Sequence, residues 1–145
     1  MPMRLFYAES SQSLQTTNTG AWNDIVGLTL TLPKSSGDEK FALVTLNVPN
    51  PYAKGNDYPG CNFAIHASVP GSSGHLKPVG CFTSFNKVAD PATAISSGRV
   101  PVTVVGRVML HKDHPTLIQG QWQSVRGATA VLDTAASISA VTGKG

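Results

Sequence analysis

Charge is scarce in this chain. Only 13% of its 145 residues are charged, about half the usual share for a soluble domain. The basic residues are scattered, with no Lys or Arg run and no aromatic interleaved with one. Nucleic acid is therefore not expected as a partner, in spite of a net charge of +3. No apolar run approaches a membrane span, so membrane insertion is not expected either. The N-terminus turns polar at Glu9, Ser10 and Ser11 before an apolar leader core has formed, and no secretory signal is read. That reading places the protein in the cytoplasm, or outside it by a route that needs no such leader, with the cell surface as one destination.

Cysteine is nearly absent. Cys61 and Cys81 are the two in the chain, and neither lies in a Cys-x-x-Cys or zinc-type spacing. Without a leader they read as buried thiols in a reducing compartment. If the segments around them pair as a hairpin, they become neighbours. Catalytic motifs are missing too: there is no Gly-x-Ser-x-Gly elbow, no phosphate loop and no His-Glu-x-x-His. The eight acidic residues form no obvious acid–base pair. The chain reads as a non-enzyme without cofactor or metal. His111-Lys112-Asp113-His114 is the one cluster of metal-ligand type, and it lacks a third ligand nearby, so it reads as an exposed turn.

Helical periodicity is missing over any useful length, and there is no internal repeat. What fills the chain is Gly (14), Pro (10), Ser and Thr, the composition of a turn-rich β protein. Gly27–Leu32 alternates strictly between apolar and polar and reads as a strand with one buried face. Phe41–Val48 is apolar enough for a central strand. Further strands are expected over Asn62–Ser68, Val79–Phe85, Val100–Leu110, Thr116–Trp122, Ala128–Thr134 and Ser137–Val141, and a short one near Leu5–Ala8. Residues 1–20 otherwise read as irregular, and Pro49–Gly60 as a long loop. About nine short strands at this spacing suggest a single all-β domain over residues 1–145, a jelly-roll sandwich of two antiparallel sheets.

Gln119–Gly127 holds one of the two tryptophans. Trp122 between glutamines reads as a strand with an apolar and a polar face, and Arg126 stands at its end beside a glycine that can turn sharply. Around the strand ends lie Tyr52, Asn62, Thr83, Ser84, Ser96, Ser97, Arg99 and Arg126. Guanidinium and amide donors, hydroxyls and a ring face are the groups that bind neutral polyols such as sugars. Composition leaves that reading and one of ordinary loop polars both open.

Several segments resemble the TNF-like fucose-binding lectin domain at the N-terminus of a bacterial two-domain superlectin. They are Leu46-Asn47-Val48-Pro49 with Pro51-Tyr52-Ala53, Gly55-Asn56 and Pro59-Gly60; Phe63-Ala64-Ile65; Gly80-Cys81-Phe82-Thr83 with Lys87-Val88; Ser96, Gly98-Arg99 and Pro101; and Gly120-Gln121-Trp122 with Ser124-Val125-Arg126-Gly127. Weaker similarity runs from Asp24 to about Gly143, in the same order and with similar spacing. The Tyr52 and Trp122–Gly127 segments are the specific ones. The resemblance implies a TNF-like jelly roll, a homotrimer, and metal-independent sugar sites in clefts between protomers that take fucosylated oligosaccharides. By position it implies sugar contacts from Tyr52, Thr83, Ser96, Ser97, Arg99 and Arg126. Asn62 and Ser84 stand where the family carries tyrosines, and Ser97 where it carries a threonine. Cys61 has no counterpart there, Cys81 does, and the superlectin's calcium-dependent second domain has none here. The rival reading from another class is a trimeric protein-interaction module that keeps the fold without sugar binding.

Overall fold

The computed structural model of the chain describes residues 3–11, 13–55, 59–71, 77–85 and 101–144. Among them every regular element is a strand, in the order β1 (Arg4–Glu9), β2 (Leu14–Thr16), β3 (Asn23–Leu32), β4 (Glu39–Val48), β5 (Pro51–Lys54), β6 (Gly60–Ser68), β7 (Lys77–Phe85), β8 (Val102–Met109), β9 (Thr116–Val125), β10 (Thr129–Leu132) and β11 (Ser137–Lys144). One four-stranded sheet runs β1-β11-β4-β8, a second runs β3-β9-β6-β7, and a three-stranded sheet runs β2-β10-β5. All of these pairings are antiparallel.

The strands form where side chains alternate. Along β8, Val102, Val104, Gly106 and Val108 are buried while Thr103, Val105, Arg107 and Met109 are exposed. Pro101 stands just before this edge strand, where its missing N–H breaks no ladder. The two four-stranded sheets bury their inner rows against each other. Val44, Leu46 and Ile138 come from one side and Leu28, Phe63, Ile65, Ile118 and Trp122 from the other, all in one core cluster. The sheets approach closely at Gly120: a Cβ there would lie 2.9 Å from Leu28 Cδ1 and 3.3 Å from Leu46 Cδ1. Phe63 and Trp122 are directly opposite on β6 and β9, with ring centroids 6.4 Å apart.

Three sequence expectations change. The short strand expected near Leu5–Ala8 is present as β1, paired with β11 from Arg4↔Thr142 to Glu9↔Ser137, but the rest of residues 1–20 is not all irregular, because β2 pairs with β10. The Pro49–Gly60 segment is not all loop, because Pro51–Lys54 forms β5 on the other edge of β10. Its inward residue Ala53 is buried, which anchors the strand, but four residues between prolines and glycines are too few to show a period. β3 begins earlier than its alternation suggests. Asp24 pairs with Gln121 and Thr29 with Gln119, so four residues, among them the buried Ile25 and Leu28, bulge opposite the single residue Gly120. Gly27 makes this possible with φ of 93°, and its Cβ position lies 2.6 Å from the Glu9 carbonyl oxygen.

The central place expected for β4 holds, since it pairs with both β11 and β8. Its outward row is uncovered, however: Leu43 is 54% exposed. Register aligns Leu5, Val141, Leu43 and Arg107 in one row and Tyr7, Ser139, Thr45 and Val105 in the next. Of the seven large hydrophobics exposed among the described residues, Leu5, Tyr7, Leu43, Val105 and Met109 lie on this face. The Arg107 guanidinium sits 3.7 Å from the centroid of the Phe41 ring, a cation–π contact that covers part of that ring.

One ion pair ties β1 to β4 across β11. Arg4 donates from Nε to Glu39 Oε1 at 3.0 Å and from Nη2 to Glu39 Oε2 at 2.6 Å. The hydrogen bond from Arg4 is the first cause that holds the Glu39 carboxyl below its usual value of 4.5. A lowered native value means the pair stabilises the fold above the unfolded value and stops doing so as pH falls through the native one. Melting temperatures of wild type and Glu39→Gln should therefore differ most near neutrality and converge as pH falls below the usual carboxylate range. A gap that stays constant or widens in acid would contradict this.

Candidate functional site

β9 ends at a strained turn. Val125 O accepts the N–H of Ala128 at 3.1 Å, and the two central residues, Arg126 and Gly127, have φ of 56° and 73°. Positive φ at both central positions is the pattern of a type I′ turn, where Asn, Asp or Gly is the usual first residue. Arginine there costs about 1–2 kcal/mol relative to the right-handed region. Neighbouring chain holds the turn in place. Ser124 N–H donates to Asn18 O at 2.8 Å, Gly127 N–H donates to Thr19 Oγ1 at 3.1 Å, and the Thr19 and Ser124 hydroxyls share a hydrogen bond of 2.6 Å. Trp122 and Ser124 point inward and are buried, which leaves the exposed Arg126 as the group this strand end presents to solvent.

The ends of β6 and β7 meet this turn in register. Gly60 is opposite Val125 and Phe85; Cys61 is opposite Ser124 and Ser84; Asn62 is opposite Gln123 and Thr83. The structure thus brings Asn62, Thr83, Ser84 and Arg126 to one end of one sheet, with Asn62 half-buried. The polar face of β9 is organised further along: Gln119 Nε2 and Gln121 Nε2 donate to the two Asp24 carboxylate oxygens at 2.7 and 2.8 Å.

Tyr52 is elsewhere. On the three-stranded sheet, Tyr52 is opposite Val131, which is opposite Gln15. This row lines a cavity of about 300 Å³ together with Ser13, Leu14 and Asp133. The sequence did not single out Asp133, Gln15 or Ser13, because only the pairing of β2 and β5 on β10 brings them beside Tyr52. Ser96, Ser97 and Arg99 lie outside the described residues.

Other candidates resolve into structure. His111 Nδ1 accepts the N–H groups of Asp113 and His114 at 3.1 and 3.2 Å, so this histidine caps its own turn. Among the described residues no group of three His, Cys, Asp or Glu side chains is placed to hold a metal ion. Cys61 is a buried free thiol, pushed up to about 12 by burial. The segments of the two cysteines do pair as a hairpin, but Cys81 is opposite Ala64, three residues along β6 from Cys61. That offset is about 10 Å, beyond the roughly 7 Å Cα separation a disulfide tolerates. Intact mass should be the same with and without reductant. Alkylation at mildly basic pH should label Cys61 only after unfolding, and labelling in the native state would contradict its burial.

A two-layer antiparallel sandwich with a third small sheet, and a Trp-x-x-x-Arg-Gly strand end, invite comparison with known folds. The sequence matches the family described as Bc2l-C, N-terminal domain, over residues 11–141. The chain belongs to that family. Among solved structures, Eiger TNF from S. frugiperda aligns with a TM-score of 0.50 and 11% identity, over 94% of this chain and 91% of that one. The fold of this Bc2l-C N-terminal domain is therefore a TNF-like, all-β jelly roll, as the sequence resemblance implied. A structure of infectious bursal disease virus, Gx strain, aligns at TM-score 0.45 and 11% identity over 99% of this chain and 32% of that one. Among curated proteins none matches the sequence significantly. The family span runs from before β2 into β11 and includes both the Arg126 turn and the cavity beside Tyr52.

Proposed function

We propose that the protein is a metal-independent lectin that binds fucosylated glycans in clefts between the protomers of a homotrimer. The observation that carries this reading is the Arg126 turn: a guanidinium presented at a strand end, on a residue in a conformation that costs stability, within the family's matched span. Strain of this kind is kept where surrounding structure holds it for use. Arg126 and Arg99 would donate charge-assisted hydrogen bonds to sugar hydroxyls. Tyr52, Thr83, Ser84, Ser96, Ser97 and Asn62 would supply the remaining polar contacts, with Asn62 in place of a family tyrosine keeping a donor and an acceptor.

The uncovered face of β1, β11, β4 and β8 supports the assembly. An apolar row that includes Leu5, Val141 and Leu43 is what an isolated chain buries against copies of itself. Low overall charge fits the same end. Sites repeated by a cyclic trimer would raise avidity for clustered glycans by about 10²–10⁴ where the geometry allows. A glycan array with the labelled protein tests the proposal. Retention confined to fucosylated structures and lost on adding free L-fucose is the expected pattern. Retention indifferent to fucose, or none at all, would favour the protein-interaction module.

A further inference from the structure

The uncovered face of β1, β11, β4 and β8 carries little charge, and what it carries sits at its two edges. Three outward rows run from β1 to β8: Leu5 to Arg107, Tyr7 to Val105 and Glu9 to Thr103. The formal charges in these rows are Arg107 on β8 and Glu9 on β1, and both side chains are exposed. β1 and β8 are the outer strands of the sheet. Three strand spacings across and four residues along separate Glu9 from Arg107, about 20 Å by sheet dimensions, so the two do not pair within one chain.

Each charge has a large neighbour two residues away on its own strand and face. On β8 it is Met109, which is opposite Phe41, and Phe41, Arg107 and Met109 line a groove of about 310 Å³. On β1 it is Tyr7, which is 58% exposed and whose hydroxyl donates to Glu9 Oε1. Residues i and i+2 of a strand are about 6.6 Å apart, so ring and carboxylate on β1 are spaced as groove and guanidinium are on β8. The steps from Tyr7 to Glu9 and from Met109 to Arg107 also point the same way, because β8 runs antiparallel to β1.

We infer that copies of this chain meet head to tail, with Tyr7 of one protomer seated in the groove of its partner and Glu9 paired there with Arg107. The inference rests on the homotrimer of the proposed function, and adds which edges join and which charges set the joint. A lone charge buried in an apolar contact is costly, and this contact covers the apolar rows while giving both charges a partner. Tyr7 against Met109 adds a sulfur–aromatic contact. Edge meeting opposite edge is a heterologous contact, which closes into a ring when the rotation allows. Rotation about an axis that runs broadly along the strands keeps the common direction of the two steps, so ring meets groove and carboxylate meets guanidinium at every joint. Tyr7 and Met109 lie two rows apart in height, which strands inclined to that axis take up.

The test is charge reversal in the whole chain, read by light scattering over a dilution series, with dichroism and melting temperature as checks on the protomer. Arg107→Glu and Glu9→Arg should each weaken association about a hundredfold or more, because like charges then face each other. The double variant restores opposite charges and should recover association to within about tenfold of wild type. Glu9→Gln is the mild variant: it keeps an acceptor for the Tyr7 hydroxyl, and should weaken association about tenfold and lessen its dependence on salt. Folded single variants that stay trimeric, or a folded double variant that stays apart, would overturn the pairing and leave the trimer and the lectin standing. A monomeric wild type would overturn the pairing and the trimer together, while sugar binding is read separately on the glycan array.

Discussion

Arg126→Gly should abolish glycan binding while making the fold more stable. The two effects have separate causes. Loss of the guanidinium removes charge-assisted hydrogen bonds worth about 1.5–3 kcal/mol each, so affinity for a fucosylated glycan should fall about a hundredfold or more. At the same time glycine adopts φ of 56° without the penalty that arginine bears. After subtracting the greater freedom of glycine in the unfolded chain, the net gain should be about 0.5–1 kcal/mol. Arg126→Ala should lose binding equally without that gain, because alanine keeps a Cβ. Arg126→Lys should recover little, since an ammonium lacks the planar fork. A purely structural arginine gives a different pattern: its removal would lower stability and leave binding intact. Denaturant midpoints beside glycan titrations of the three variants separate the cases.

Leu43→Glu should take the assembly apart and leave the protomer folded. Leu43 lies on β4, an interior strand of its sheet, and is 54% exposed in the isolated chain. Burying it against a second copy stabilises the contact, whereas burying a carboxylate there costs several kcal/mol per ion. Association should weaken by about a hundredfold or more. Within the protomer the change is mild, because Arg107 is the cross-strand neighbour of Leu43 and opposite charges across a ladder are favourable. Size measurement by light scattering should report monomers for the variant and trimers for the wild type, with unchanged far-ultraviolet dichroism. Glycan binding should fall with assembly, since the proposed clefts need two protomers. A variant that stays trimeric would mean that copies meet through another surface, and a monomeric variant that binds normally would mean that the site is complete in one chain.

The fold was legible where period two was strong. The alternation from Gly27 to Leu32, the β-branched run of β8, and the apolar segment of β4 each appear as strands close to where they were expected. It was illegible where a strand is too short to show a period. β2 has three residues and β5 four, and they exist because β10 offers an edge on each side. The bulge in β3 was hidden by Gly27, which looks like a strand start but is a left-handed residue inside the strand. The exposure of the outward row of β4 was not legible, because an uncovered apolar row and a covered one have the same sequence. For the site, the sequence placed the candidate residues near strand ends without saying which ends meet, and the register puts Asn62, Thr83, Ser84 and Arg126 at the same end of one sheet. The left-handed backbone of Arg126 was not legible, because the turn type is set by the hydrogen bonds around it. Nor was the company of Tyr52, since Asp133 is 81 residues further along the chain.

The most direct measurement is a calorimetric titration of the purified protein with free L-fucose. The account predicts saturable heat at one site per chain, unaffected by a chelator and absent in Arg126→Ala. No heat with fucose from a protein that is folded and trimeric would contradict it, and would shift the function of this TNF-like domain toward protein contacts.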